Sequence, residues 1–97
     1  MFARVATFEG DQPQIRQMAE AIERDSEAGP PEGVPAKELL VMTSRYSGKL
    51  MAIVLFETED DLRRGDATLN QMSPPSDATT VARSNVEIFE VAARRPV

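Results

Sequence analysis

Four polar residues stand in or beside apolar segments, and each is of a type that can do chemistry. Arg4 falls within the Phe-, Val- and Thr-rich run from Phe2 to Glu9, where a guanidinium must be paired or solvated. It can hold a substrate's carbonyl or phenolate oxygen. The plainer expectation is an ion pair with Glu87 or Glu90 of the last strand, or exposure at the strand's end, because an unpaired buried charge is costly. Asp66 lies on or beside an apolar helical stripe, next to Gly65; a carboxyl group in an apolar site can serve as a base, and one at the stripe's edge reaches water or an arginine instead. Asn85 can hydrogen-bond a ligand oxygen at the start of the last strand, or simply be a turn residue. Tyr46, the only phenol, can close a pocket or lie at a surface or interface. Arg4, Asp66, Asn85 and Tyr46, in that falling order, are the candidates for catalysis.

Met18, Met42, Met51 and Met72 supply pliable apolar surface, whose default use is core filling and whose alternative is contact with a ligand. Gly65 inside a helix costs ~1 kcal/mol relative to Ala, which permits close approach of a strand or a ligand. Glu57, Glu59, Asp60 and Asp61 form an acidic run that the helix dipole explains without a metal. The chain has neither cysteine nor histidine. That excludes a thiolate nucleophile, a disulfide framework, an imidazole base and haem held by a proximal histidine. No cofactor and no metal are expected.

The 97 residues, 41% hydrophobic and 28% charged, have the composition of one globular domain spanning 1–97. Net charge is −5, and the excess sits between Glu9 and Glu38, with eight acids against three bases. Such a surface repels phosphate backbones, so nucleic acid is not an expected partner. The longest apolar run, Leu50 to Phe56, is too short to cross a bilayer, and no cationic amphipathic helix suggests membrane attachment. The start of the chain shows no secretory pattern, so a cytoplasmic location is expected.

These residues need a scaffold, and the pattern outlines one. A strand from Phe2 to Glu9 ends at Gly10-Asp11. A helix begins at Asp11 or Gln12, with Pro13 in its first turn and Asp11 able to accept a hydrogen bond from a free N–H, and runs to about Glu27 with Ile15, Met18, Ala19 and Ile22 on one face. Three prolines and two glycines within 28–35 make a loop. Glu38–Tyr46 and Lys49–Glu57 read as strands joined by a two-residue Ser47-Gly48 turn, the glycine supplying a positive φ. That turn sets Thr43 opposite Ala52, Val41 opposite Val54 and Leu40 opposite Leu55. Both faces of this hairpin are apolar, so both must be covered. Thr58 caps a second helix with Leu62, Leu69 and Met72 inward, which Ser73-Pro74-Pro75 stops; a polar stretch to Thr80 leads to a last strand from about Arg83 to Ala93.

The order is βαββαβ: a ferredoxin-like α+β fold with an antiparallel sheet, two helices on one face, and the first and third strands central. Two helices cover one face only, and an identical subunit is the simplest cover for the other, since a twofold contact needs one self-complementary patch.

The opening Phe2-Ala3-Arg4-Val5-Ala6-Thr7-Phe8, the hairpin Leu39 to Phe56 with its Ser-Gly-Lys turn, Phe56-Glu57-Thr58-Glu59-Asp60-Asp61-Leu62 and Val86-Glu87-Ile88-Phe89-Glu90-Val91 together resemble the dimeric α+β barrel superfamily, which includes the antibiotic-biosynthesis-monooxygenase-like proteins. The resemblance implies a homodimer paired through the sheet face. It also implies a range of activities: cofactor-free quinone-forming oxygenases, haem degraders, stress-response proteins and proteins without known activity. The chain departs from the haem binders in lacking histidine, and from the cofactor-free oxygenases in having no Trp and a single Tyr. Three readings stay open: a dimer binding a small apolar or aromatic molecule between sheet and helices, a cofactor-independent monooxygenase acting on a phenolic or quinone-type substrate, and a structural or assembly protein without a ligand. Whether the chain is an enzyme is open at this point.

Overall fold

The Phe-, Val- and Thr-rich run at 2–9 and the nearly continuous apolar run at 49–56 become the two central strands of a single sheet. The structure is a computed structural model that describes residues 1–72 and 81–97. Its elements are β1 (Phe2–Glu9), α1 (Gln12–Ser26), β2 (Glu38–Thr43), β3 (Lys49–Phe56), α2 (Glu59–Gln71) and β4 (Ala82–Glu90). The sheet is antiparallel in the order β2-β3-β1-β4. This is the ferredoxin-like βαββαβ arrangement, with β1 and β3 central as the connection rules require. Ser73-Pro74-Pro75 and the polar stretch to Thr80 lie outside the described residues.

Register decides which residues share a face. Phe2, Arg4, Ala6 and Phe8 of β1 stand opposite Phe56, Val54, Ala52 and Leu50 of β3, and these side chains meet the helices. One apolar cluster gathers Ile15 and Met18 of α1 with Leu50 and Val81. A second gathers Phe56 and Val54 with Leu62 of α2 and Val34 of the loop after α1. The other face carries Ala3, Val5, Met51, Ile53, Leu40 and Met42, with Phe89 beside Ala3. Ala3 and Val5 are buried there by their larger neighbours, whereas Leu40 is 54% exposed and Phe89 49%.

The β2–β3 hairpin corrects the expectation. Its strands are slipped by two residues from the expected pairing: Leu39 stands opposite Val54, Val41 opposite Ala52 and Thr43 opposite Leu50. β2 therefore ends at Thr43, and the connection is a longer loop closed by Ser44 N–H donating to Lys49 O at 3.0 Å. Ser44 Oγ accepts from the backbone N–H of Tyr46 and Ser47, and the Gln12 amide donates to the carbonyls of Ser44, Arg45 and Ser47. The start of α1 thus fixes the loop. Gly48 has no positive φ. A glycine is needed because Gly10 N–H donates to Gly48 O at 2.8 Å, and a Cβ on Gly48 would lie 1.6 Å from Gly10 O.

The helices follow their end signals with one exception. Thr58 Oγ1 accepts from Asp61 N–H at 3.1 Å, with Glu59, Asp60 and Asp61 in the first turn of α2 against the positive end of its dipole. Asp11 precedes α1, but its side chain accepts no capping bond; Pro13 in the first turn lacks an N–H, which lowers the demand for one. Gly65 faces β3, where a Cβ would lie 2.4 Å from the Phe56 ring. Its place in α2 is therefore a packing requirement, and the close neighbour is the strand. β4 ends at Glu90, before the expected Ala93, although Val91 N–H still donates to Met1 O.

Candidate functional site

Where α1 and α2 diverge over the sheet, the central strands carry their smallest side chains. Ala6 and Ala52 stand directly opposite each other, between the larger pairs Arg4–Val54 and Phe8–Leu50. Two alanines side by side take up little of the space between sheet and helices. A cavity of about 960 Å³ occupies it, floored by Ala6 and Ala52, walled by Met18 and Leu69, and covered in part by Pro30 and Val34 of the loop after α1. Positive φ at Gly29 and Gly33 lets that loop fold back over the opening, and Thr68 Oγ1 donates to Gly33 O at 3.1 Å to hold it against α2. The cavity is within the volume range of small-molecule sites and has their character, apolar with few polar groups.

Arg4 lies in the wall of this cavity and is only 4% exposed. Its partner is not on β4. Glu87 stands opposite Val5 on the other face and Glu90 opposite Phe2, while Arg4 Nε donates to Asp66 Oδ1 at 2.9 Å and Nη2 donates to Asn70 Oδ1 at 2.9 Å. Asp66 and Asn70 are one turn apart on α2, so a single helix face receives the guanidinium. Among the described residues no acceptor is bonded to Nη1. The ion pair neutralises the buried charge and fixes the planar group, and Nη1 keeps its donors for a ligand oxygen.

The structure thus unites two of the four candidates, Arg4 and Asp66. Asp66 does not itself line the cavity; it stands behind the guanidinium and orients it. Asn85 is a strand residue opposite Thr7 on the helix-free face, its amide donating to Glu87 Oε1 at 2.9 Å. Tyr46 is 93% exposed in the hairpin loop. Neither reaches Arg4. The methionines divide as well. Met18 and Met72 line the cavity, whereas Met42 and Met51 are paired with each other on the helix-free face. Even-numbered Met42 and odd-numbered Met51 share that face because the register sets them directly opposite each other.

Three features were not singled out from sequence. The Ala6–Ala52 pair becomes visible only when β1 and β3 are set in register. Asn70 was within reach of sequence reasoning, being four residues after Asp66 on the same helix. Arg83, another lining residue, is placed by an irregularity in β4. Of the acids around the start of α2, Glu57 pairs with Lys37 and Glu59 with Arg63. Among the described residues no group of three or more His, Cys, Asp or Glu is disposed to hold a metal ion, and no helix is long and apolar enough to cross a membrane.

No family model matches the chain, and no curated protein matches it in sequence. Its fold is that of a solved protein of Deinococcus radiodurans described as a "putative antibiotic biosynthesis monooxygenase", with a TM-score of 0.54 at 11% identity, covering 100% of this chain and 98% of the other. At that identity the likeness is one of fold.

Proposed function

We propose that this chain binds a small, largely apolar or aromatic molecule bearing an oxygen acceptor, held between sheet and helices with the oxygen at Arg4. The observation that carries this reading is a cavity of about 960 Å³ with a buried, ion-paired guanidinium in its wall. An arginine that served the fold alone could be an apolar residue at similar stability. One that lines a cavity and has donors to spare is suited to recognising a carbonyl or phenol. The reading includes a cytoplasmic location, where a chain without cysteine gives up no disulfide stability.

Binding is tested with 2-methyl-1,4-naphthoquinone and its hydroquinone, followed by amide shifts in NMR spectra. Shifts are expected at Ala6, Met18 and Val54, and Ala52→Leu, which fills the floor, should weaken binding at least tenfold with the fold intact. Saturation at a hundred times Kd should raise stability by about 2.7 kcal/mol. No perturbation by either compound, with unaltered thermal stability, sinks the reading and leaves a structural role.

A second reading, cofactor-independent oxygenation of a phenolic substrate, is favoured by the guanidinium in the cavity wall and by the name of the Deinococcus protein. Here the phenolate gives electrons to oxygen, a C–O bond forms at its para carbon, and the resulting hydroperoxide loses the para proton and water to become the quinone. One oxygen atom thus enters the substrate and the other leaves as water; Arg4 holds the phenolate oxygen. Oxygen uptake with 2-methyl-1-naphthol, whose para carbon is open, giving the quinone above the spontaneous rate and lost in Arg4→Gln, separates this reading from binding alone.

We also propose that the protein works as a homodimer joined through the helix-free face. Leu40, Met42, Met51, Ile53, Leu55 and Phe89 make that face apolar, and contiguous exposed apolar surface marks an interaction site. Sedimentation at micromolar concentration should give twice the 10.7 kDa chain mass. Leu40→Glu with Met42→Glu should give single protomers with unchanged far-ultraviolet circular dichroism, since neither side chain is in the protomer's own core. A wild-type protein that sediments as one chain at that concentration removes this part of the proposal.

A further inference from the structure

We infer that the cavity takes an anionic ligand, a carboxylate whose charged end lies at Arg83 while its neutral oxygen reaches Arg4. This rests on the binding reading above and goes further by assigning the ligand a charge and a direction.

The first observation is a β-bulge. From Phe2 to Thr7, β1 pairs with β4 in one register, so that Thr7 is opposite Asn85. Continued without interruption, that register would put Ser84 opposite Phe8 and Arg83 opposite Glu9, on the helix-free face. The register instead shifts between Thr7 and Phe8, and Arg83 stands opposite Phe8. Phe8 is on the helix face, and Arg83 lines the cavity. Bulges re-aim side chains beside binding sites, and this one directs a cation inward.

The second observation is the state of the other charges around the cavity. Arg4 pairs with Asp66, Lys37 with Glu57, Glu38 with Arg94 and Asp25 with Arg24. Each lining charge therefore has its counter-charge, except Arg83, which makes no ion pair among the described residues. The buried guanidinium of Arg4, already neutralised, suits a neutral carbonyl or hydroxyl. Arg83, on an edge strand and open to solvent, suits a carboxylate that enters last and stays partly hydrated. Four residues of strand separate Arg4 from Phe8, the neighbour of Arg83, which is roughly 13 Å of backbone. The apolar floor between them asks for a rigid or extended apolar body of about two fused rings.

The test uses 6-hydroxy-2-naphthoate and its methyl ester, which differ in the charge at one end. Affinities are measured by calorimetry for the wild type, Arg83→Gln, Arg83→Lys and Arg95→Gln, the last removing an equal charge from a residue that does not line the cavity. The wild type is expected to bind the carboxylate at least tenfold more tightly than the ester. Arg83→Gln should bring the two within twofold of each other with the ester's affinity unchanged, Arg83→Lys should keep part of the preference, and Arg95→Gln all of it. If both compounds bind but the preference is absent, survives Arg83→Gln or is lost equally in Arg95→Gln, the anionic assignment is wrong and the binding reading stands. If neither compound binds, both fall.

Discussion

Asp66→Ala should destabilise the fold by about 2–4 kcal/mol, and Arg4→Met by no more than about 1 kcal/mol. The difference follows from unequal burial within one ion pair: the Arg4 side chain is 5% exposed and that of Asp66 33%. Removing the carboxylate leaves a guanidinium that is almost wholly out of bulk solvent without its counter-charge, with the Asn70 carbonyl oxygen and the cavity left to solvate it. Removing the guanidinium leaves a carboxylate already a third in solvent, free to turn outward, while the methionine refills the apolar stem. Against a total of roughly 5–15 kcal/mol for a domain of this kind, the first loss is large. Urea unfolding of both variants and of the double variant tests it. Arg4→Met should restore most of what Asp66→Ala removes. If Asp66→Ala proves the milder of the two, the guanidinium does not depend on that carboxylate, and its orientation toward the cavity has another cause.

The same pair marks the boundary of what sequence could reveal about the site. Arg4 stood out because a cation interrupts a strand pattern, and Asp66 because a carboxylate interrupts a helical stripe. Each is a local anomaly. Their contact is not local, since it depends on how α2 is rotated over β1, and strand adjacency points instead to the two acids of β4 as partners for the arginine. Asn85 and Tyr46 were selected for their chemistry alone; strand parity sends the first to the helix-free face and a longer loop carries the second into solvent. Arg83 left no signal, because a register shift inside β4 depends on its pairing with β1, and simple alternation points it the wrong way.

The architecture was more legible because it rests on patterns that tolerate error. The expected hairpin pairing is off by two residues, yet it groups correctly the side chains that share a face, even though Met42 and Met51 prove to be on the face away from the helices. A two-residue slip preserves the alternation of a strand, where a slip of one would have inverted it. What set the true register lies elsewhere in the chain: the Gln12 amide on three loop carbonyls, and the contact between Gly10 and Gly48. Turn residues read in isolation suggested a tight turn, and contacts with the start of α1 won. The cavity has a similar origin. Alanines at 6 and 52 are unremarkable forty-six positions apart and become a hollow only when β1 and β3 bring them face to face.

Two glycines make the last prediction, in which one loss can be rescued and the other cannot. Gly65→Ala should gain ~1 kcal/mol of helix propensity and still lose about 1–2 kcal/mol overall, since overpacking costs about 1–3 kcal/mol or more. The new Cβ would stand 2.4 Å and 2.5 Å from Phe56 Cε1 and Cζ, and Phe56 is wholly buried, so its ring has little room to retreat. Gly48→Ala should cost more, about 3 kcal/mol. Its Cβ would meet Gly10 O at 1.6 Å and Gly10 C at 2.8 Å, forcing apart two backbone segments and breaking the Gly10–Gly48 hydrogen bond. Trimming Phe56→Leu opens space only for the first. In a double-mutant cycle, Gly65→Ala with Phe56→Leu should therefore be less destabilised than the sum of the singles, by at least about 1 kcal/mol. Gly48→Ala with Phe56→Leu should be additive within about 0.5 kcal/mol. Additivity in both cycles would mean that α2 does not rest on the Phe56 ring, and the packing that sets the angle of this helix, and with it the reach of Asp66 to Arg4, would have to be assigned elsewhere.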